Sequence, residues 1–504
     1  MKQKLFSAFL LIAVMLGILS LTAQEEAVNP NNKVIKGKSL ETYLTLVNHT
    51  KTQPANVLEI CTAAYDVLSK DKNASFFDLS QDQKFTSLCQ KSGMACTGGP
   101  MLGCVSQRGV SVWVRTLFPG KVAIRVDIDG KATIFGPAAT STEGDLCAIV
   151  PVTGLKPGNE YFYTVLVDGK DAFPNQRFTL RTVPDGKAEV RVAYGCDFHR
   201  TGAANMQQAE QIIAHKPYAI LLGGDNCVQD RDNDLGMHRA DYFARDMYPA
   251  WQKLAAALPI YAQWDDHDYF NNDKWGIPKS YTDADRRNVR KVFLENWMNP
   301  YGGISEQGIY FTASVGLIDY IVIDHRYFRD KEKRQYLGEE QMNWLFKVLK
   351  ESKAPFKILA GGTMWVDEVA EGKDSWPVFE PDARKRLYDF IEKEKIPGVV
   401  FASGDRHGAR VFTILRPSGF LFYEFNVGSM GGRGQDPSSK RETGHASVNP
   451  AWKNQLFGTG NLFAFGLFTA SLSGPEPTLT YQLIGEDGKV LYELKMSQNQ
   501  LTGK

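Results

Sequence analysis

Apolar and polar residues alternate strictly in several short stretches between residues 100 and 183. Residues 110–115, 122–127 and 161–167 each show a period of two, and pairs that contain Gly or Pro separate them. A period of two places one face of a strand in a core and the other in water, and such pairs form the turns between antiparallel strands. The pattern therefore predicts a small all-β sandwich domain over residues 100–183.

The pattern changes after residues 182–186, which contain a Pro and a Gly and are the predicted domain boundary. Beyond them, short continuous apolar runs alternate with stretches of helical spacing, such as residues 203–215 and 239–258. Six of the runs lie at residues 190–194, 218–222, 260–264, 320–323, 356–359 and 399–402. Buried strands that alternate with helices give this pattern, so residues 187–495 are predicted to form an α/β layered catalytic domain.

The region before the sandwich divides into a helical part and an N-terminal leader. Residues 39–49 and 55–68 have apolar residues at helical spacing, which predicts a linker and short helical region over residues 24–99. Residues 1–23 have a basic start, an apolar run and a small residue at the end, as in a secretory signal peptide. A membrane anchor is the alternative, because the run approaches the length of a span. With cleavage, we expect a secreted or periplasmic protein that has no stable membrane span.

The net charge of the chain narrows the class of binding partner. The chain has 58 Lys+Arg and 57 Asp+Glu, a net charge of +1, so no basic field is present to hold nucleic acid. The expected partner is instead a small-molecule substrate.

The seven cysteines leave at least one thiol unpaired, and export permits disulfides. One or two bridges among the five cysteines before residue 150 are expected, with the pairing left open.

Residues suited to metal binding follow four of the predicted strands at the point where each strand ends. In chain order they are Asp197 with His199, Asp225, the acidic box 265–268, and Asp405 with His407. Because ligands bind at the carboxyl ends of strands in open α/β sheets, these side chains are expected to converge on one site. Carboxylates and imidazoles bind hard and borderline metals, and a carboxylate that bridges two metals suits phosphoryl transfer.

The chain resembles metallophosphoesterases of the alkaline phosphatase D type, within the calcineurin-like superfamily. The resemblance spans about residues 100–430, and its most specific motif is Trp-Asp-Asp-His at residues 264–267. The other motifs lie at residues 222–226, 272–273, 320–326, 337–341 and 403–407. The resemblance implies a four-layer α/β/β/α sandwich for the catalytic domain. The turn at residues 154–161 resembles one in fibronectin type III-like domains and assigns the all-β domain to that type.

The chain departs from this family at two linked positions. Family members usually carry Gly-Ser-Cys after the first strand, with the Cys as an iron ligand, whereas this chain has Asp197 at the Cys position. A family Tyr ligand is replaced by Val228. Asp197 and His199 instead supply the Asp-x-His motif of the wider superfamily. We favour a structural role for Cys196 and Cys227, with metal ligation or a bridge between them as the alternatives.

The resemblance implies a role for each site residue. A first metal would be held by Asp197, His199 and His407, Asp225 would bridge two metals, and the second would be held by Asp266 and Asp405. The expected ions are two divalent or trivalent metals, Fe, Mn, Ca or Zn. A hydroxide formed at the metals would attack phosphorus. His267 would be the proton donor, with Asp268 as its orienting partner. Arg326 and Arg406 would contact the phosphate, and His325 would face the site.

These inferences predict a secreted metal-dependent hydrolase of phosphate mono- or diesters, of the alkaline phosphatase or phosphodiesterase type. One alternative is a purple acid phosphatase-like enzyme, which also has a sandwich domain in front of its catalytic domain. The other is a non-catalytic binding protein with a degenerate metal site. Retention of the Asp-x-His motif, the acidic box and the final Gly-Asp-x-His motif favours the hydrolase.

Overall fold

The structure, a computed structural model, describes residues 38–300, 307–368, 376–432 and 453–502. The chain divides into two compact units, Met1–Leu46 and Val47–Lys504. The predicted signal peptide lies outside the described residues. Of the helices in the described ranges, none combines the length and apolar character that a membrane span requires.

Helices form the region that precedes the first strand. They are α1 (Leu40–Val47), α2 (Ala55–Leu68), α3 (Phe76–Gln81) and α4 (Gln83–Lys91). The first two correspond to the predicted helices, whereas α3 and α4 were not predicted. Ser75 caps α3 by accepting a hydrogen bond from Asp78 N, and Asp82 caps α4 in the same way from Phe85 N. Such caps start short helices where hydrophobic periodicity is too brief to reveal them.

Residues 96–181 form two antiparallel sheets. Their strands are β1 (Cys96–Ser106), β2 (Gly109–Thr116), β3 (Lys121–Ile128), β4 (Lys131–Ala139), β5 (Cys147–Thr153), β6 (Glu160–Val167), β7 (Lys170–Asp171) and β8 (Phe178–Arg181). The order is β1-β2-β5 in one sheet and β4-β3-β6-β7 in the other, with β8 also paired to β6. Buried side chains of both sheets, such as Val112 and Ile124, belong to one hydrophobic cluster. The fibronectin type III-like assignment stays a prediction.

Two larger sheets, each partly parallel, follow with helices between their strands. The first runs β11-β10-β9-β19-β20-β21 and the second β12-β13-β14-β15-β17-β16-β18. The strands are β9 (Val190–Gly195), β10 (Ile220–Leu222), β11 (Ile260–Ala262), β12 (Phe311–Val315), β13 (Ile318–Val322), β14 (Phe356–Ala360), β15 (Val399–Ser403), β16 (Gly408–Leu415), β17 (Leu421–Gly428), β18 (Gln455–Thr459), β19 (Ala464–Ser471), β20 (Thr478–Gly485) and β21 (Val490–Ser497). The predicted combination of sheets and helices is confirmed.

Helices that connect these strands pack on the sheets. They are α5 (His199–Ala203), α6 (Met206–Ala214), α7 (Leu235–Asp246), α8 (Pro249–Ala257), α9 (Asp266–Tyr269), α10 (Asp283–Asn296), α11 (Glu339–Glu351), α12 (Trp376–Phe379) and α13 (Pro381–Lys393). The side chains of β10 alternate between two cores: Leu221 joins the cluster shared with β13, while Ile220 and Leu222 join the cluster of α6 and α8. The complete four-layer order stays a prediction.

The single long helix predicted over residues 239–258 is wrong. The structure has two helices there, α7 and α8, with a break at Met247 and Tyr248. Pro249 occupies the first turn of α8, where its missing N–H costs nothing and its fixed φ suits a helix start. The break lets α7 be buried along its whole length, since all its twelve residues are buried.

The seven cysteines are free thiols, so the expected disulfides are absent from the structure. Burial raises the pKa of Cys61, Cys89 and Cys96, in each case to about 12. Thiols with such pKa values are poor nucleophiles at neutral pH. These three residues therefore serve as small apolar core side chains.

One buried histidine makes stability depend on pH. Burial lowers the pKa of His238 to about 4, although the hydrogen bond between its Nε2 and Asp232 O favours the charged form. Between pH 6.5 and 4 the unfolded chain therefore binds a proton that the folded chain does not, so this contribution to stability is present above pH 6.5 and is lost as pH falls. Across this window we expect the protonation difference at His238 to lower the free energy of unfolding of wild type by about 3 kcal/mol. The variant His238→Gln should not show this decrease.

Denaturant unfolding of wild type and the variant at several pH values between 7 and 4 measures this effect. The quantity compared is the change with pH, not the stability at one pH, because the substitution also alters packing. Parallel curves for the two proteins would contradict the prediction.

Candidate metal centre

The four predicted strand ends lie together. Strands β9, β10 and β11 are parallel neighbours in one sheet, and β15 is a parallel neighbour of β14 in the other. Backbone hydrogen bonds lock the first two loops together, from Asp197 N to Gly224 O (3.0 Å) and from His199 N to Asp225 O (2.8 Å). Asp197, Asp225 and Asp405 all have a positive φ, between 51° and 64°. Such conformations are strained for residues other than glycine and are concentrated at functional sites.

Cys196 is packed between two of these loops. A Cβ atom at Gly223 would lie 2.2 Å from Cys196 Sγ, and one at Gly404 would lie 2.1 Å from Cys196 Cβ. The thiol also lies 3.0 Å from the hydroxyl of Tyr194. The two glycines therefore allow the loops to close on Cys196, which fits the structural role favoured from the sequence.

Three groups of side chains have ligand atoms within 4.8 Å of one another. They are Asp197 with His199 and His407, Asp225 with Asp266 and His267, and Asp265 with Asp266 and Asp405. The first group contains the three residues predicted for the first metal. The other two share Asp266, which links Asp225 to Asp405.

Histidine side chains connect the first two groups. The ring of His199 lies 5.8 Å from that of His407 and 6.0 Å from that of His267, measured between centroids. Within the first group, Nε2 of His407 is 3.5 Å from Oδ1 of Asp197. In the second group, Nε2 of His267 is 4.0 Å from Oδ2 of Asp225. The two groups therefore adjoin, which suits a centre with two metals.

The carboxylates have the properties expected of metal ligands. Within the described residues, neither oxygen of Asp197 accepts a hydrogen bond, and the same holds for Oδ1 of Asp225 and Oδ1 of Asp266. Burial and neighbouring carboxylates raise the pKa of Asp197 and of Asp225 well above the ordinary value. Buried acceptors that lack donors and repel one another are stabilised by cations, so this donor set fits metal ions.

The imidazole of His199 is also in the form that binds metals. Burial and the two nearby histidines lower the pKa of His199 well below its ordinary value. The ring is therefore neutral at physiological pH, and a neutral imidazole offers a nitrogen lone pair. The combination of several carboxylates and imidazoles suits ions such as Fe, Mn or Zn.

Arg326 and His325 are buried and contact the acidic box. Asp265 Oδ1 accepts hydrogen bonds from Nε2 of His325 (2.8 Å) and from Nε of Arg326. Burial alone would raise the pKa of Asp265, but Arg326 and His325 outweigh it and hold this pKa at about 2. Arg326 is completely buried. Its charge compensates Asp265, and its Nη2 lies 3.7 Å from Asp266 Oδ1. The role of Arg326 as a phosphate contact stays a prediction.

His267 takes its orientation from Asp230, a residue that the sequence analysis missed. Nδ1 of His267 is 2.7 Å from Oδ1 of Asp230. Asp268, the predicted partner, instead accepts hydrogen bonds from the backbone N–H groups of Asn226 and Asp265. Asp268 therefore holds the loops of the site together. Asp230 lies in a loop five residues after Asp225, and no motif or spacing in that loop distinguishes it.

Arg406 remains beside the site, as the sequence analysis expected. Its Nε is 3.2 Å from Oδ2 of Asp405, and its side chain keeps about a tenth of its surface exposed. Cys227, by contrast, is buried away from the three groups in the core formed by α7 and α8.

Comparisons with known proteins match two parts of the chain to family models. The family model described as PhoD-like phosphatase matches residues 223–474, half of the chain. A second model, described as a domain of unknown function (DUF7800), matches residues 94–185, which contain β1 to β8. Alkaline phosphatase D from Bacillus subtilis (strain 168) is 26% identical over 215 residues. That alignment covers 36% of this chain and 35% of the relative, so the chain spans about a third of the length of this curated protein.

Two solved structures share the fold. A structure of PhoD superposes with a TM-score of 0.65 at 17% identity, covering 81% of this chain and 92% of that one. Purple acid phosphatase PPD1 from yellow lupin (Lupinus luteus) seeds superposes with a TM-score of 0.59 at 14% identity, covering 79% and 74%. At these identities the likeness shows a common fold.

Proposed function

The chain belongs to the PhoD-like phosphatase family, and from this premise we propose that it hydrolyses phosphoric esters at a centre of two metal ions. The observation that carries the proposal is the pair of adjoining ligand groups, Asp197–His199–His407 and Asp225–Asp266–His267. Four of their buried carboxylate oxygens lack hydrogen-bond donors among the described residues, and such acceptors suit metal ions. Asp405 joins the second group through Asp266.

The residues of the centre have separate roles in the proposed reaction. When bound, the metal ions act as Lewis acids, lower the pKa of a water molecule and offset the charge of the phosphate. Asp225 belongs to the second group, accepts a hydrogen bond from His199 N of the first group at its backbone carbonyl, and is the proposed bridging ligand. Asp265, Arg326 and His325 form a buried, charge-balanced support that keeps the acidic box in place.

His267 is the proposed proton donor to the leaving oxygen. The hydrogen bond between Nδ1 and Asp230 holds its ring, so that Nε2 faces the centre beside Asp225. A histidine held in this way by a carboxylate has a defined tautomer and ring orientation. Arg406 is the proposed contact for a phosphate oxygen, since it lies beside Asp405 and reaches the surface.

Export and the type of ester belong to the proposal as well. The predicted signal peptide implies a secreted or periplasmic enzyme, and the substrates proposed are phosphate mono- and diesters. A non-catalytic binding protein is the opposing hypothesis. It is disfavoured by the complete ligand groups, because a decaying site loses ligands and does not gain Asp197.

Metal analysis combined with hydrolysis of two esters tests the proposal. The protein without residues 1–23 is purified, its metals are determined by elemental analysis, and turnover of p-nitrophenyl phosphate and its bis-ester is measured. We expect two metal ions per chain and turnover of at least one ester. Chelation should abolish turnover, and Mn, Fe, Zn or Ca should restore it, with circular dichroism as the control for folding.

Each outcome has a defined meaning. Preference for the monoester or the bis-ester sets the substrate class. A protein that binds two metals and hydrolyses neither ester would support the binding-protein hypothesis. Turnover with a single metal would retain the hydrolase and refute the two-metal centre.

A further inference from the structure

Helix α7 carries two buried aspartates in different surroundings. Asp241 is completely buried and Asp246 nearly so, and both pair with arginines. The partner of Asp246 is Arg245, its neighbour in the same helix. The partners of Asp241 come from outside the helix, Arg200 from α5 and Arg231 from the loop that precedes α7. This difference sets Asp241 apart from an ordinary core ion pair.

Asp241 joins three segments of the chain through its carboxylate. Oδ1 accepts from Nη2 of Arg200 and from Nη2 of Arg231 (2.9 Å), while Oδ2 accepts from Nε of Arg231 (2.7 Å) and from Gln229 N (3.2 Å). Both arginine side chains are at most 4% exposed. The two guanidinium groups hold the pKa of Asp241 below its ordinary value, although burial acts in the opposite direction.

The two arginines adjoin residues of the metal centre. Arg200 directly follows His199, a member of the first ligand group. Arg231 directly follows Asp230, whose carboxylate orients His267 in the second group. His199 and Asp230 both have a left-handed backbone, with φ of 47° and 57°. Strained conformations of this kind persist only where the surroundings determine them strongly.

We propose that Asp241 is a positioning residue of the metal centre. It fixes His199 through Arg200, and it fixes the Asp230–His267 pair through Arg231. Asp241 itself faces neither ligand group and binds no metal. As far as catalysis is concerned, this inference rests on the proposed phosphoesterase function. Its prediction for metal binding does not depend on that function.

Asp241→Asn tests the proposal, with Asp246→Asn as its matched control. Both substitutions remove one buried carboxylate from the same helix and keep the shape of the side chain. Asp246 Oδ1 accepts from Arg245 and from Trp251 Nε1, and neither belongs to a loop of the centre. Both variants leave buried arginines short of an acceptor, so both are expected to unfold at a lower temperature than wild type.

The two variants should differ in function. For Asp241→Asn we expect kcat to fall about 30-fold while KM changes less than about threefold, because misplaced groups lose the reacting geometry and retain the substrate. For Asp246→Asn we expect kcat within about threefold of wild type, since no group of the centre moves. Equal losses of kcat in the two variants, or an unchanged kcat in Asp241→Asn, would overturn the proposal.

Calorimetric titration of the metal-free proteins with Mn²⁺ gives a readout independent of turnover. Asp241→Asn should bind Mn²⁺ about tenfold or more weakly than Asp246→Asn, as for other residues that orient metal ligands. If wild type binds Mn²⁺ and hydrolyses no ester, the proposed function fails, and this comparison alone decides the role of Asp241. Equal affinities in the two variants would overturn that role.

A second pair of variants tests the proposal if Asp241→Asn does not fold. Arg231→Lys keeps the positive charge and loses the two-pronged contact with Asp241, and Arg245→Lys makes the same change beside Asp246. We expect weaker Mn²⁺ binding and a lower kcat only in Arg231→Lys. Identical behaviour of the two lysine variants would refute the proposal.

Discussion

Replacing Asp225 by Asn is expected to lower kcat/KM for p-nitrophenyl phosphate by roughly a thousandfold or more, equivalent to about 4 kcal/mol of transition-state stabilisation. Asp225 follows β10 and shares a ligand group with Asp266 and His267. It also contacts the first group through the hydrogen bond from His199 N to its carbonyl. The loss of its charge therefore affects the proposed bridge between both metals.

The same substitution should have the opposite effect on the stability of the metal-free protein. Burial and four neighbouring carboxylates raise the pKa of Asp225, so the folded protein holds this group under electrostatic stress. An amide of the same shape removes the repulsion. We expect the free energy of unfolding of metal-free Asp225→Asn to exceed that of wild type by roughly 1 kcal/mol.

Activity assays and denaturant unfolding of the metal-free proteins measure the two effects. Asp319→Asn is the matched control, since Asp319 is a buried strand aspartate that accepts from Ser352 Oγ and belongs to none of the three ligand groups. It should keep kcat/KM within about threefold. A loss of activity together with a loss of metal-free stability in Asp225→Asn would indicate misfolding and contradict the prediction.

The grouping of the candidate metal ligands could be predicted because their positions follow local rules. Each ligand lies within a few residues of the end of a short apolar run, and parallel strands bring such ends to one edge. The structure places Asp197, Asp225 and His407 accordingly. The break between α7 and α8 could also have been found, since Pro249 favours the first turn of a helix over its interior.

The partners of these ligands could not be predicted in the same way. Asp230 and Asp241 act through contacts between loops and a buried helix, and no periodicity or motif encodes those contacts. Arg326 illustrates the same limit: the sequence does not reveal that its guanidinium is buried and pairs with Asp265. Sequence patterns indicate which chemistry is present, and tertiary packing decides which groups meet.

His267→Gln is expected to impair poor leaving groups far more than good ones. A general acid contributes about 10²–10⁴-fold when the leaving oxygen needs a proton, and much less when the leaving group is an acidic phenol. We therefore expect kcat/KM to fall by about 10³-fold for an alkyl phosphate and only about tenfold for p-nitrophenyl phosphate. Asp230→Asn should show the same trend with smaller losses, because it leaves the ring in place and replaces the charged acceptor of Nδ1 by a neutral amide.

Rates for a series of alkyl and aryl phosphates, together with metal content, separate two roles for His267. Its Nε2 lies near Asp225 in a group that suits a metal ion, so ligation is the competing role. A proton donor predicts a loss that grows as the leaving phenol or alcohol becomes less acidic, with two metals retained. A ligand predicts a uniform loss across the series and the loss of one metal. Because Gln offers no acid proton at this position, the first pattern would assign Nε2 of His267 to proton transfer.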